Sequence, residues 1–252
     1  MVGDCCHIFR LLQRLECPDT LDKVKLHLLE CAVEMASEFL GQYLQDRIRR
    51  DDRFRGRLGV AVSCGTYASS FDISARSFDI SAFGKINIPT MRPGQGYPHV
   101  SLSTGSTARI PQGACEKLCA DLIALTPRER VVSFTGVLGS RATRDILITM
   151  PNIENLYLPG SVDFDMFLQP DPLSHTKFLP SLRRLCLHSF TVRNYNDWKP
   201  LIGYLAHQMS GDQAISLWVC GEYSPIPPEA MKEMKALVKE FNFGYPNVDE
   251  WY

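Results

Sequence analysis

The amino-acid sequence predicts an α/β fold in which irregular repeats of a parallel strand plus a helix stack into a solenoid. Three observations lead to this prediction. Short apolar stretches interrupted by polar residues recur along the 252 residues, and most precede a stretch with helical spacing. Two of them, at 153–158 and 182–187, have the spacing Ile/Leu-x-x-Leu-x-Leu of leucine-rich repeats. Both follow a proline, Pro151 or Pro180, in the same way.

The predicted strands share a period of two, which places alternate apolar side chains on one face of a sheet. Their central residues are Leu26, Val60, Leu102, Val132, Leu156, Leu185 and Leu217. Helical spacing of apolar residues follows at 33–49, 114–125, 142–149, 196–205 and 229–241. We expect Asn196 or Asp197 to cap the fourth helix. Strand–helix alternation favours parallel strands joined by helical crossovers.

The repeats are unequal in length, so the sequence predicts one leucine-rich-repeat-like domain, 1–252, with an irregular insertion at 66–98. Within it, Phe-Asp-Ile-Ser-Ala at 71–75 recurs verbatim at 78–82, and a stretch rich in proline and glycine follows at 89–98. This duplication is typical of a loop or an extra hairpin. Each strand–helix unit has one apolar face that only its neighbours can bury.

Composition excludes several classes of function. The 27 basic and 28 acidic residues nearly cancel, so no electrostatic footprint for nucleic acid or an anionic membrane is expected. No apolar run reaches the roughly 18 residues that a membrane-spanning helix needs. The N-terminus lacks the pattern of a signal peptide. We therefore expect a cytoplasmic or nuclear protein.

The nine cysteines are scattered without the paired Cys-x-x-Cys spacing of a zinc site. Buried, reduced thiols are the simpler interpretation. The sequence has no nucleophile elbow, phosphate-binding loop or metalloprotease motif. We therefore predict no catalytic, cofactor-binding or metal-binding residue. The alternative enzyme would use Cys186 or Cys220 as nucleophile, with His188 or His207 as base.

In a solenoid, the polar positions of consecutive strands line one concave surface, where a partner would bind. Four residues at these positions are the predicted protein-binding residues: Tyr157, Arg184, His188 and Trp218. Tyr, Trp and Arg are the residue types that dominate the energy of protein interfaces. For Trp218 an alternative is that a flanking loop or the C-terminal residues cover it.

Several blocks also resemble the C-terminal half of fungal F-box proteins with degenerate leucine-rich repeats. They include Met-Pro-Asn-Ile-Glu-Asn-Leu at 150–156 and Leu-Pro-Ser-Leu-Arg-Arg-Leu at 179–185, with further similarity at 118–131, 167–172 and 197–201. The resemblance covers at least 115–240. It implies the substrate-recognition part of an SCF-type ubiquitin ligase, which binds a protein target of unknown identity and needs no cofactor.

In that family an N-terminal F-box docks a Skp-type adaptor. The opening Leu-Pro-x-Glu-(Ile or Leu) of that motif does not occur in this sequence. We therefore expect adaptor binding only if an F-box lies upstream in a longer gene product. Two alternatives stay open: a small α/β enzyme with an unrecognised site, and a truncated family member without a partner.

Overall fold

The structure is a computed structural model. It describes residues 23–28, 45, 49, 57–64, 68–74, 99–104, 117, 120–121, 123–137, 140–159, 163–168, 178–188, 190, 194–209, 215–220 and 225–244. Most of the predicted insertion, at 75–98, lies outside them, as does most of the first predicted helix, of which Gln45 and Arg49 are described and are helical.

The described residues form nine strands in one sheet, which is not closed into a barrel. The strands are β1 (Lys23–Leu28), β2 (Leu58–Cys64), β3 (Ala68–Ser74), β4 (His99–Thr104), β5 (Val131–Val137), β6 (Asn155–Pro159), β7 (Arg184–His188), β8 (Ser216–Cys220) and β9 (Glu240–Phe243). Their order across the sheet is β1-β4-β3-β2-β5-β6-β7-β8-β9. The predicted α/β class is confirmed.

Six neighbouring strands, β2 and β5 to β9, are all parallel. From β5 onwards each strand pairs with the next one in sequence, as the repeat prediction expects. Parallel strands need crossover connections, and the helices of these connections pack against one face of the sheet.

The N-terminal strands depart from this consecutive order. β1 pairs with β4 rather than with β2, and β2 pairs with β5. Between β2 and β4 lies β3, which is antiparallel to both. β3 holds the first four residues of the duplicated segment, at 71–74, so part of the predicted insertion forms a strand of the main sheet. A simple stack of parallel repeats is therefore wrong for this end of the sheet.

Three helices are described in full: α1 (Ser140–Ile148), α2 (Tyr195–Met209) and α3 (Pro228–Leu237). Two 3-10 helices, Arg128–Arg130 and Phe164–Phe167, complete the turns before β5 and after β6. At the start of α2, Asp197 Oδ2 accepts a hydrogen bond from the Asn194 backbone N–H at 3.2 Å. Asp197 thus takes part in the predicted cap, but it lies inside the first turn.

The prediction that the last helix reaches Phe241 is wrong. α3 ends at Leu237, because Val238 has extended backbone angles (φ −110°, ψ 152°). The following residues pair with β8 as strand β9, beginning with a hydrogen bond from Lys239 N–H to Ile215 O at 2.9 Å. Phe241 still packs against the core, now from a strand.

The main core lies between the helices and one face of the sheet. Leu156, Leu185 and Leu217 form one register row across it, and each is fully buried. An aromatic layer covers this row, in which Trp198 lies 4.9 Å from Phe164 between ring centroids. No helix among the described residues is long and apolar enough to cross a membrane.

Arg144 of α1 ties the Phe164–Phe167 helix to the rest of this core. Its Nη1 donates a hydrogen bond to Met166 O at 2.7 Å, and its guanidinium lies 5.3 Å from the ring centroid of Phe178. A half-buried arginine in such a place contributes through both its charge and its hydrocarbon stem.

Candidate functional site

The strand register separates two faces of the sheet. Residues 156, 185 and 217 point into the main core, and residues 157, 186 and 218 form a second row on the opposite face. The apolar members of the two rows belong to two separate buried clusters. The predicted alternation of inward and outward side chains is therefore confirmed for β6, β7 and β8.

The second face begins with a row of polar side chains at the amino-terminal ends of the strands. Asn155 Nδ2 donates to Ser133 Oγ at 3.0 Å, and Arg184 Nη1 donates to Asn155 Oδ1 at 3.4 Å. Further along the same row, Ser216 Oγ donates to Glu240 Oε2 at 3.4 Å. Parallel strands in constant register bring these five residues, which are far apart in sequence, into one line.

The predicted binding residues Tyr157 and Trp218 lie in the next row and are buried, with 1% and 4% of their surface exposed. With Cys186 and Cys220 they form what we call the thiol–aromatic cluster. Trp218 is therefore buried, and the C-terminal residues named in the second alternative lie outside the described residues. A partner can touch these two aromatic rings only if this face opens.

The thiols of this cluster are poor candidates for nucleophilic chemistry. Cys186 Sγ lies 3.2 Å from Cys220 Sγ, and both cysteines are free. Burial and the neighbouring thiol raise the pKa of Cys186 well above its ordinary value. A protonated, fully buried thiol does not attack substrates, since the thiolate is the reactive form. This argues against the enzyme alternative built on Cys186.

Arg184 and His188, at the two ends of β7, are partly exposed. The His188 ring lies 6.2 Å from the Tyr157 ring between centroids. Burial lowers the pKa of His188, because it disfavours the charged imidazolium. Its neutral form therefore prevails at neutral pH. These two are the predicted residues that a partner reaches without any rearrangement.

A cleft of about 530 Å³ opens at the amino-terminal edge of β2, β5, β6 and β7; we call it the amino-edge cleft. Arg57 and Glu154 span it with an ion pair of 2.5 Å that links the starts of β2 and β6. Glu129 and Arg130 lie beside it before β5. Asn152 Nδ2 donates to the Glu129 carbonyl at 2.7 Å and fixes the loop before β6.

A β-bulge in β5 shapes this cleft. Leu58 pairs with Val131 and Gly59 with Ser133, so Val132 is the extra residue. Val131 and Phe134 belong to the main core, and Val132 instead lines the cleft. Bulges redirect one side chain out of the regular alternation, and they occur often beside functional sites.

The cleft residues were missed by the sequence analysis. They lie just before or at the starts of four strands, and no local sequence motif identifies them. Cys186 and His188, two residues of the alternative enzyme, do not line the cleft. Within the described part of the chain, no three His, Cys, Asp or Glu side chains are placed to hold a metal ion.

Comparisons of the chain with protein-family models, with curated proteins and with solved structures found no match.

Proposed function

We propose that this chain is a non-catalytic protein–protein interaction module, leucine-rich-repeat-like in organisation, that resembles the substrate-recognition part of an SCF-type F-box protein. The observation that carries the proposal is the constant register of β6 to β9. Each of these four strands has a side chain at the same height: Asn155 and Ser216 are buried, Arg184 is partly exposed and Glu240 is exposed. Repeat proteins bind partners through such equivalent positions.

The accessible part of this arrangement favours polar recognition. Arg184 and His188 are partly exposed and Glu240 is exposed, whereas the aromatic residues between them are buried. Arginine offers a planar set of five donors, which suits carboxylates and carbonyl groups of a partner. Arg184 uses one of them on Asn155. A target protein would therefore dock on the ends of β7 and on β9.

The thiol chemistry weakens the competing enzyme hypothesis. A catalytic cysteine needs an accessible thiolate and a base aligned with it. Cys186 is fully buried, its pKa is raised, and its sulfur faces another thiol. The ligase role also rests on the resemblance at 115–240, and it needs an adaptor contact that this chain does not contain in recognisable form.

The test is recovery of bound proteins by a tagged copy of the chain from cells of its source. The wild type and an Arg184→Ala/His188→Ala variant are compared by quantitative mass spectrometry. A matched control, Arg183→Ala/His207→Ala, removes the same two residue types at exposed positions. We expect a defined set of proteins to be lost with the first variant and kept with the control. Equal recovery with both variants would contradict the proposed surface.

A further inference from the structure

The amino-edge cleft is a second candidate surface, separate from the buried thiol–aromatic cluster. At this edge the backbone groups of successive strands already bond to each other. Glu154 N–H donates to Val132 O at 2.8 Å, Arg183 N–H to Glu154 O at 2.9 Å, and Ser216 N–H to Arg183 O at 2.9 Å. These groups are therefore not available for strand addition. A ligand at this edge would therefore be bound by side chains.

Those side chains combine both signs of charge with one apolar residue. Arg57 and Arg130 are basic, Glu129 and Glu154 are acidic, and Val132 lies among them. The side chain of Arg57 is 64% exposed although it is paired, and that of Glu129 is 69% exposed. Arg130 Nε and Glu129 Oε1 are 3.9 Å apart, a distance too long for a hydrogen bond. The four charges sum to zero, which favours neither a purely acidic nor a purely basic ligand.

We propose that the amino-edge cleft binds an extended protein segment that carries a basic and an acidic side chain two residues apart. In an extended segment, residues two apart lie on the same side, about 7 Å from each other. Charged side chains at the ends of strands that are one or two positions apart in the sheet are separated by about 5–10 Å. The basic side chain pairs with Glu129 and the acidic one with Arg57, and the side chain between them points away from the cleft.

The open shape of the cleft agrees with a peptide rather than a metabolite. A small-molecule site encloses most of its ligand, whereas this cleft lies between strand ends with Arg57 and Glu129 largely in solvent. A mixed-charge segment also binds more favourably than one of a single sign, because a ligand with only one sign of charge would place like charges next to each other in the cleft. The proposal deepens the proposed recognition function and rests on it.

The experiment is an amide NMR titration of the full chain with acetyl-Ala-Lys-Ala-Glu-Ala-amide. We expect saturable shifts at residues 129–132 and 152–154, with a Kd of about 1 mM. The analogue with glutamine at both charged positions should bind at least about tenfold more weakly, since it lacks both ion pairs. Peptides with two lysines or two glutamates should also bind more weakly than the mixed one.

Arg57→Gln tests the assignment of the acidic side chain, and Arg141→Gln, at an exposed position of α1, is its matched control. We expect the first to weaken binding about fivefold and the second to leave it unchanged. Absence of localised shifts up to about 10 mM peptide, equal binding of the glutamine analogue, or no effect of Arg57→Gln would overturn the proposal. If Arg57→Gln recovers the same cellular proteins as the wild type while Arg184→Ala/His188→Ala does not, the cleft is rejected and the proposed function stands.

Discussion

Replacing Leu185 with alanine tests whether β7 occupies the centre of the main core. Leu185 is fully buried between Leu156 and Leu217, its register partners on the two neighbouring strands. The substitution removes three carbon atoms at about 0.8 kcal/mol each, or about 2.4 kcal/mol of transfer free energy. The cavity left in a rigid sheet adds to this. We therefore expect the free energy of unfolding to fall by about 3–4 kcal/mol.

The assay is urea denaturation at constant temperature, followed by circular dichroism, with the wild type measured in parallel. The slope against urea should stay the same, because the variant exposes the same surface on unfolding. The matched control is Arg183→Ala, two residues earlier at an exposed position, which should change stability by less than about 0.5 kcal/mol. A loss below about 1 kcal/mol for Leu185→Ala, or an equal loss for Arg183→Ala, would refute the register that places Leu185 inside.

Four further predictions follow from single sites. Gly203→Ala in α2 should raise stability by about 0.5–1 kcal/mol in the same urea assay, since the added methyl meets no atom within 4 Å; a loss of stability would contradict the open space around it. Arg144→Ala should lower stability by about 1–3 kcal/mol, because a carbonyl of the adjacent 3-10 helix loses its donor; an unchanged unfolding midpoint would contradict this. Cys186 and Cys220 should resist iodoacetamide in the native protein and react once it is unfolded, as peptide mass spectrometry would show, because both are buried. The pKa of His188 is lower in the folded protein than in the unfolded chain, so below about pH 6.5 the unfolded chain binds a proton at this residue more readily. The wild type should therefore lose stability as the pH falls through that range, and His188→Gln should lose less. Parallel losses of Tm in the two proteins would argue against it.

The C-terminal half of the sheet was predictable because its signals are local. The Ile/Leu-x-x-Leu-x-Leu spacing at 153–158 and 182–187 fixes which residues alternate into the core, and the register confirms it. The helix–strand boundary at Leu237 was missed because the local signal there is ambiguous. The four residues of β9 are too few to show a period of their own, and Phe241 fits the helical spacing as well as the strand.

The order of the N-terminal strands could not be predicted, because it depends on pairing between distant segments. β2 finds its parallel partner in β5, some 70 residues later, and β3 and β4 extend the sheet beyond β2. No local pattern distinguishes this order from a consecutive one. The amino-edge cleft was missed in the same way, since its residues at 57, 129–132 and 152–154 meet only after the strands align.

The burial of the second face of the sheet could not be predicted from the local sequence pattern either. Alternation correctly placed Tyr157 and Trp218 on the side of the sheet away from the helices, but it says nothing about what covers that side. Parallel sheets are commonly covered on both faces, which is the more general expectation. Of the four predicted binding residues, only Arg184 and His188 are therefore accessible to a partner.

The central claim, that this chain recognises proteins as part of a ligase receptor, is tested most directly by co-precipitation of a Skp-type adaptor. The product of the full gene, tagged and expressed in cells of its source, is compared with the 252-residue chain. We predict that the full product recovers the adaptor and that both recover the same target proteins. Failure of the full product to recover the adaptor would contradict the ligase role, and failure of both to recover any specific protein would contradict recognition itself.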